Sequence, residues 1–431
     1  MSVELSRLAN GLTVVTDTMA TIDSVALSLW VKSGSRDEAQ DEHGIAHLLE
    51  HMAFKGTSRR SAFEIAAQIE DVGGEINAAT SLETTSYYAR VLKEDVPLAV
   101  EIIADILTDS LFDDAELARE KHVILQEIGA AHDTPDDVVF DKFTEAAFRH
   151  QTLGRSILGT EETIRDLTAS QIRAFVERQY AADRIVMVAS GAIDHDDFVR
   201  TVEQRFGDFR ATSLAQPRRM ANYVGGDYRE ARDLMDAQIL LGFEGKAFHM
   251  RDFYASQILS MILGGGMSSR LFQEIREKRG LCYSIYAFHW GFSDTGLFGI
   301  HAATGKGDVA ELVQLIIKEL HRACESISPA ELARAISQYR AGLLMSRESA
   351  SSRTGQIARQ MLLYGRPVTI EEQMERLEGI TIERLTDLSS RLFVGTKPTI
   401  AAIGPIGSLE THSMISSKLS SHAAAPRRMA V

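Results

Sequence analysis

The segment LLEHMAFKGTSRRSAFEI at 48–65 lies without gaps on ILSMILGGGMSSRLFQEI at 258–275, an offset of 210 residues. Further along, AELAR at 115–119 recurs at 330–334, an offset of 215. Two similar offsets in the same order read as two copies of one structural unit. The local signals agree. Residues 24–31 and 85–91 are β-branched or alternating, and 185–189 and 399–403 are short apolar runs. Residues 44–53, 62–72, 96–107, 114–130 and 169–179 carry helical periodicity. Strands mixed with helices, without strict alternation, predict an α+β fold of two homologous domains, each an antiparallel-rich sheet packed with helices. The join falls in the polar stretch ATSLAQPRRMANYVGG. The expected layout is a first domain 1–212, a linker 213–226, a second domain 227–417 and a tail 418–431.

Composition narrows the function. Hydrophobic residues make up 45% of the 431 and charged residues 25%, which excludes a disordered chain, a collagen and a coiled-coil rod. No apolar run reaches the ~18 residues of a membrane span, so no membrane partner is expected. Lys+Arg 46 against Asp+Glu 60 gives a net charge of −14, a poor match to a nucleic-acid backbone. Basic ligands fit that charge if the acids line a cavity. Cys282 and Cys324 lack a CxxC partner, which argues against a disulfide framework and a cysteine zinc site. The first residues show neither a secretory nor a transit pattern. A bacterial cytoplasmic location is expected, and a mature mitochondrial-matrix chain with its leader removed would read the same.

Residues 47–51 spell HLLEH, the H-x-x-E-H inversion of the H-E-x-x-H zinc motif. Positions i and i+4 of a helix share a face, so His47 and His51 can aim two imidazoles at one metal. Glu50, at i+3 from His47, shares that face and suits a general base for attack on a peptide carbonyl. Ile45, Leu48, Leu49 and Met52 fall on other faces and would bury the helix, with Asp41 and Glu42 at its start and Gly56 beyond its end. The alternative is a solvated helix face. A catalytic zinc needs a third protein ligand, and the helix at 114–130 offers Glu116, Glu120 and Glu127.

HGIAHLLEHMAFKGT, with a glutamate 76 positions after His51 and another seven before that, resembles the pitrilysin/insulinase family of zinc metallopeptidases. Within it the chain is most similar to the branch of the mitochondrial processing peptidase β-subunit and its bacterial relatives. GGEINAATSLETTSYY at 73–88 and LGRSILGTEETI at 153–164 extend the likeness across nearly the whole chain. The resemblance implies one Zn2+ per chain, held by His47, His51 and Glu127, with Glu50 as base and Glu120 as a supporting carboxylate. It places Phe54 at the pocket for the residue after the cut, and Asn77 and Ala79 on an edge strand that pairs with extended substrate. Asp137 and Asp141, at i and i+4, match acids that hold an arginine upstream of the cut, chemistry suited to two carboxylates on one face. Residue by residue the plainer alternatives are a surface acid, a core aromatic, an internal strand and a solvated acidic face.

The second copy keeps none of the metal set: His47, Glu50 and His51 fall on Gln257, Ser260 and Met261. It carries Gly264–Gly266 followed by MSSR, which matches no phosphate-loop pattern and reads as a flexible turn beside a substrate channel. The family places an arginine and a tyrosine here, matching Arg276 and Tyr283, as donors to substrate backbone and the developing oxyanion. Otherwise these are a surface residue on a charged helix and a strand residue. The resemblance also implies that this chain is half of a clamshell. It carries both the zinc set and the Arg/Tyr set, so a homodimer of mutually completing chains is expected. The expected activity is endoproteolysis of short or unfolded, basic peptides. The rivals are a non-catalytic peptide-binding or structural subunit of the same fold, and a catalytic chain needing a different partner.

Overall fold

The computed structural model describes residues 3–421, so most of the expected tail lies outside the described residues. The first sheet contains β1 (Val3–Arg7), β2 (Thr13–Thr18), β3 (Ser24–Val31), β4 (Glu75–Thr80), β5 (Thr85–Leu92) and β6 (Ile185–Gly191), in the order β1-β2-β6-β3-β5-β4. The second contains β7 (Gly226–Ala231), β8 (Asp236–Glu244), β9 (Cys282–Gly291), β10 (Gly296–Gly305) and β11 (Thr399–Gly404), in the order β7-β11-β8-β10-β9. β2 runs parallel to β6, and β7 to β11; every other pairing is antiparallel. With β1 set aside, the two orders correspond strand for strand. The duplication read from two short matches is therefore written into the topology.

Five helices of the first half matter most: α1 (Ile45–Ala53), α2 (Ala62–Glu70), α3 (Val96–Thr108), α4 (Asp114–His132) and α5 (Pro135–Ala147). The first core forms where α1, α2 and α3 cover one face of the first sheet, around Val25, Leu27, Leu29, Tyr87 and Met187. In the second, Ile239, Leu241, Phe243, Phe298 and Ile400 of the sheet meet Ile258, Leu259 and Leu263 of the helix Phe253–Gly264. That helix ends against β9 so closely that a Cβ on Gly264 would lie 2.2 Å from the Ala287 nitrogen. The first of the three glycines thus serves a tight helix–strand contact.

The division into units differs from a cut at one linker. One compact unit comprises residues 1–130, 155–219 and 343–368; the other comprises 131–154, 220–342 and 369–431. The reason is that each sheet must cover its second face. In the first unit that cover is the helix Ala350–Tyr364, drawn from the second half of the chain. Its Ile357, Ala358 and Met361 bury Val15, Val186 and Val188. Strand β6 is buried at every position for this reason, since both its faces are covered. In the second unit the cover is α5, whose Phe140 packs against Phe288, Trp290 and His301. The stretch expected as a linker is tied to the first unit where Arg218 donates to the Asp37 carboxylate at 2.6 and 2.8 Å.

Arg353 of the covering helix pairs with Asp17 of β2, and both side chains are almost wholly buried. Removing one partner of such a pair strands the other charge in a dry site. Arg353→Met should lower stability by about 3–5 kcal/mol, read as a shifted urea midpoint; an unchanged midpoint would contradict this account of the covering helix.

Candidate metal centre

Helix α1 begins at Gly44, whose φ of +94° and crowded surroundings (a Cβ would sit 2.7 Å from Ile164 Cδ1) suit only glycine. Gly44 has no side chain with which to cap the helix, and Glu38 does so from outside. Its Oε2 accepts the Gly44 N–H and its Oε1 the Ala46 N–H, each at 2.9 Å. Burial pushes the Glu38 carboxyl up to about 8, while these two donors and Arg155 pull it down. The acids expected at the helix start act elsewhere: Glu42 pairs with Arg178 at 2.6 Å, and Asp41 is exposed. Ile45, Leu48, Leu49 and Met52 are all buried, and each contributes roughly 1.5–3 kcal/mol. That burial fixes the helix rotation and turns the opposite face, with His47, Glu50 and His51, away from the core.

Opposite stands α4, where Glu120 and Glu127 lie seven residues apart on one face. His47, His51 and Glu127 each offer a ligand atom, and these atoms lie within 4.8 Å of one another. Glu127 Oε2 is 3.8 Å from His47 Nε2 and 3.7 Å from His51 Nε2. It is buried and has no hydrogen-bond partner among the described residues. An ion bound at about 2.0–2.2 Å by tetrahedral ligands holds them roughly 3.3–3.6 Å apart. The two imidazoles and the carboxylate fit such an ion, which would supply the partner that Oε2 lacks. Glu120 is no surface acid: it is 6% exposed, and its Oε2 accepts the Nδ1–H of His51 at 3.0 Å. Lys55 holds its other oxygen at 2.8 Å.

Within reach of the charge of Glu50 is a pair that the sequence reading missed. Tyr87 and Tyr180 are fully buried with their hydroxyls 3.2 Å apart. Burial pushes Tyr180 up to about 12, with the charge of Glu50 adding to the effect, and raises Tyr87 well above the usual phenol value. Lys55 was likewise missed, although its place just past the motif was visible. The Tyr pair left no local signal, since its members are 93 residues apart.

Phe54 caps the C-terminal end of α1 and packs partly buried against the core. Strand β4 is the sheet edge, with Asn77 and Ala79 exposed on it. Thr80 donates to the Ala46 carbonyl at 3.3 Å, so the edge strand abuts the first turn of α1. A groove of about 670 Å³ lined by Trp30, Asn77, Tyr88 and Gly355 runs beside this edge.

In the second unit, Asp137 and Asp141 are exposed on α5. Arg276 and Tyr283 come together, the guanidinium carbon 5.5 Å from the ring centroid. Two irregularities produce this. Residues Phe272–Glu277 wind as a π-helix, with the Lys278 N–H bonding the Gln273 carbonyl. The β9–β10 register passes from Ala303↔Ser284 to Thr304↔Cys282, leaving Tyr283 as the unpaired residue of a bulge and 85% exposed.

Burial, then the neighbouring His51, pushes His47 down to about 4. In the metal-free protein it should take its proton only near that pH, whereas in the unfolded chain it does so near 6.5. The unfolded state therefore binds more protons between these values. The stability contributed by neutral His47 is full above about 6.5 and is lost as the pH falls toward about 4. A histidine-labelled NMR titration should show this imidazole still neutral near pH 5; protonation near 6.5 would contradict the burial.

Residues 13–161 match the family model for "Insulinase (Peptidase family M16)", and residues 166–339 that for "Peptidase M16 inactive domain". An "uncharacterized zinc protease" of Rickettsia felis is 39% identical over 406 residues, covering 93% of this chain and 97% of that protein. The Bacillus subtilis "uncharacterized zinc protease YmxG" is 36% identical over 403 residues, covering 93% and 98%. Among solved structures, a chain of "Complex III2 from Candida albicans" aligns at TM-score 0.87 and 22% identity, covering 97% of this chain and 100% of that one. A protease from Helicobacter pylori aligns at TM-score 0.86 and 22% identity, covering 93% and 99%. These two likenesses concern the fold. With relatives this similar over nearly its full length, the chain belongs to the M16 (insulinase) family of peptidases.

Proposed function

We propose that the chain is a zinc-dependent endopeptidase acting on short or unfolded basic peptides, with one ion per chain held by His47, His51 and Glu127. The observation that carries this is the buried, unpartnered Glu127 Oε2 facing two imidazole Nε2 atoms. Relatives named as zinc proteases support the choice of metal. Zinc bound there supplies Lewis acidity toward a carbonyl oxygen and a water. Glu50, on the same face of α1, takes a proton from the attacking water as its oxygen bonds the carbonyl carbon. As the C–N bond breaks, Glu50 returns that proton to the leaving nitrogen. Phe54 contacts the residue after the cut, and the β4 edge carrying Asn77 and Ala79 pairs with the extended backbone. Asp137 and Asp141 hold an arginine upstream, in keeping with their exposure and the net charge of −14.

Arg276 and Tyr283 donate to the developing oxyanion. We infer a homodimer, the half-clamshells facing, in which this pair from one protomer serves the zinc of its partner. The bulge that exposes Tyr283 supports this. Bacterial relatives agree with a bacterial cytoplasmic location. The rival reading, a subunit that holds peptide without cutting, leaves the aligned metal ligands and Glu50 without a purpose.

A quenched arginine-containing peptide tests the reading. Cleavage should be lost to a chelator and fall ~10²–10⁴-fold in Glu50→Gln, with zinc content retained. Undiminished cleavage by Glu50→Gln would overturn the assignment of the base, and a zinc-loaded protein that cuts nothing would favour the rival. Mixing His51→Ala with Arg276→Ala chains should restore activity through hybrid dimers; an active monomer would refute the shared site.

A further inference from the structure

The geometry points to Lys55 as a positioning residue for the metal centre, acting through Glu120 on His51; this rests on the zinc reading above. Lys55 lies just past the end of α1, where its N–H bonds the Met52 carbonyl at 3.2 Å. Its ammonium then spans to α4 and takes Glu120 Oε1 at 2.8 Å. The other oxygen of that carboxylate accepts from His51 Nδ1 at 3.0 Å. The result is a chain of three groups that begins and ends on the same helix segment and crosses to α4 between.

Each link has a physical reason. The Glu120 side chain is 8% exposed, so an oxygen without a partner there turns toward water. Lys55 occupies that oxygen and leaves Oε2 aimed at His51. An ionised carboxylate only accepts, so the Nδ1 of His51 must carry the proton, and its Nε2 presents the lone pair to the metal. His47 lacks such support: its Nδ1 is buried with no hydrogen-bond partner among the described residues. That ring is in edge contact with the ring of His51. The ammonium is therefore the outer end of the one hydrogen-bonded brace on the two imidazoles among the described residues. An exposed lysine–glutamate pair would matter little; this one is set apart by the near-burial of its acid and by what the acid touches.

The test is zinc affinity of the full-length protein, measured by competition with a chromophoric chelator, together with the visible spectrum of the cobalt-substituted form. Lys55→Met should weaken zinc binding ~10–100-fold and shift the cobalt bands, and Lys55→Arg should recover most of both. In a Glu120→Gln background, Lys55→Met should add no further loss, because the two residues act in series. Wild-type affinity in Lys55→Met, or losses that simply add in the double variant, would overturn the inference. So would a loss matched in full by lower stability of the metal-free variant in urea. Wild-type protein that binds no zinc would instead remove the metal-centre reading, and this inference with it.

Discussion

Burial of Ile45, Leu48, Leu49 and Met52 sets the rotation of α1, and that rotation decides where His47, Glu50 and His51 point. Helical spacing alone places three polar groups on one face but does not aim the face. The aim comes from four apolar side chains locked into the first core, and from the bidentate hold of Glu38 on the first turn. The helix is thus fixed in rotation along its length and in position at its start. The second helix, α4, need only present Glu127 opposite.

The polar surroundings of this helix are unequal on its two imidazoles. His51 is braced through Glu120, while His47 sits in a desolvated place that keeps it neutral. Within reach of the charge of Glu50, two buried phenols share a hydrogen bond. The edge strand β4 meets the first turn of α1 through Thr80. Buried polar groups of this kind stabilise a single arrangement only when their hydrogen bonds are met.

Much of this was legible in the sequence, for reasons that differ by residue. The i, i+4 histidines and the Glu between them are a local pattern, so the helix geometry follows directly. Glu127 is a different case: α4 offers three glutamates, and only the family resemblance selected among them. Glu38 could not be told from Asp41 or Glu42, because which acid reaches a helix N-terminus depends on the path of the turn. The bulge at Tyr283 depends on the register of β10, which no run of residues in β9 reveals. The duplication was readable because like helices keep like spacing. That the helix Ala350–Tyr364 covers the first sheet was not, since an amphipathic face does not name the surface it meets.

That exchange of helices has a consequence for how the molecule is made. Synthesis runs from the N-terminus, so β1 to β6 are complete once Gly191 has been added. The helix that shields Val15, Val186 and Val188 is still some 160 residues from being made. Throughout that interval the nascent first sheet has a bare apolar face, while α5 has no second sheet on which to lie. A cut at the midpoint of the chain would part each sheet from the helix that covers its second face.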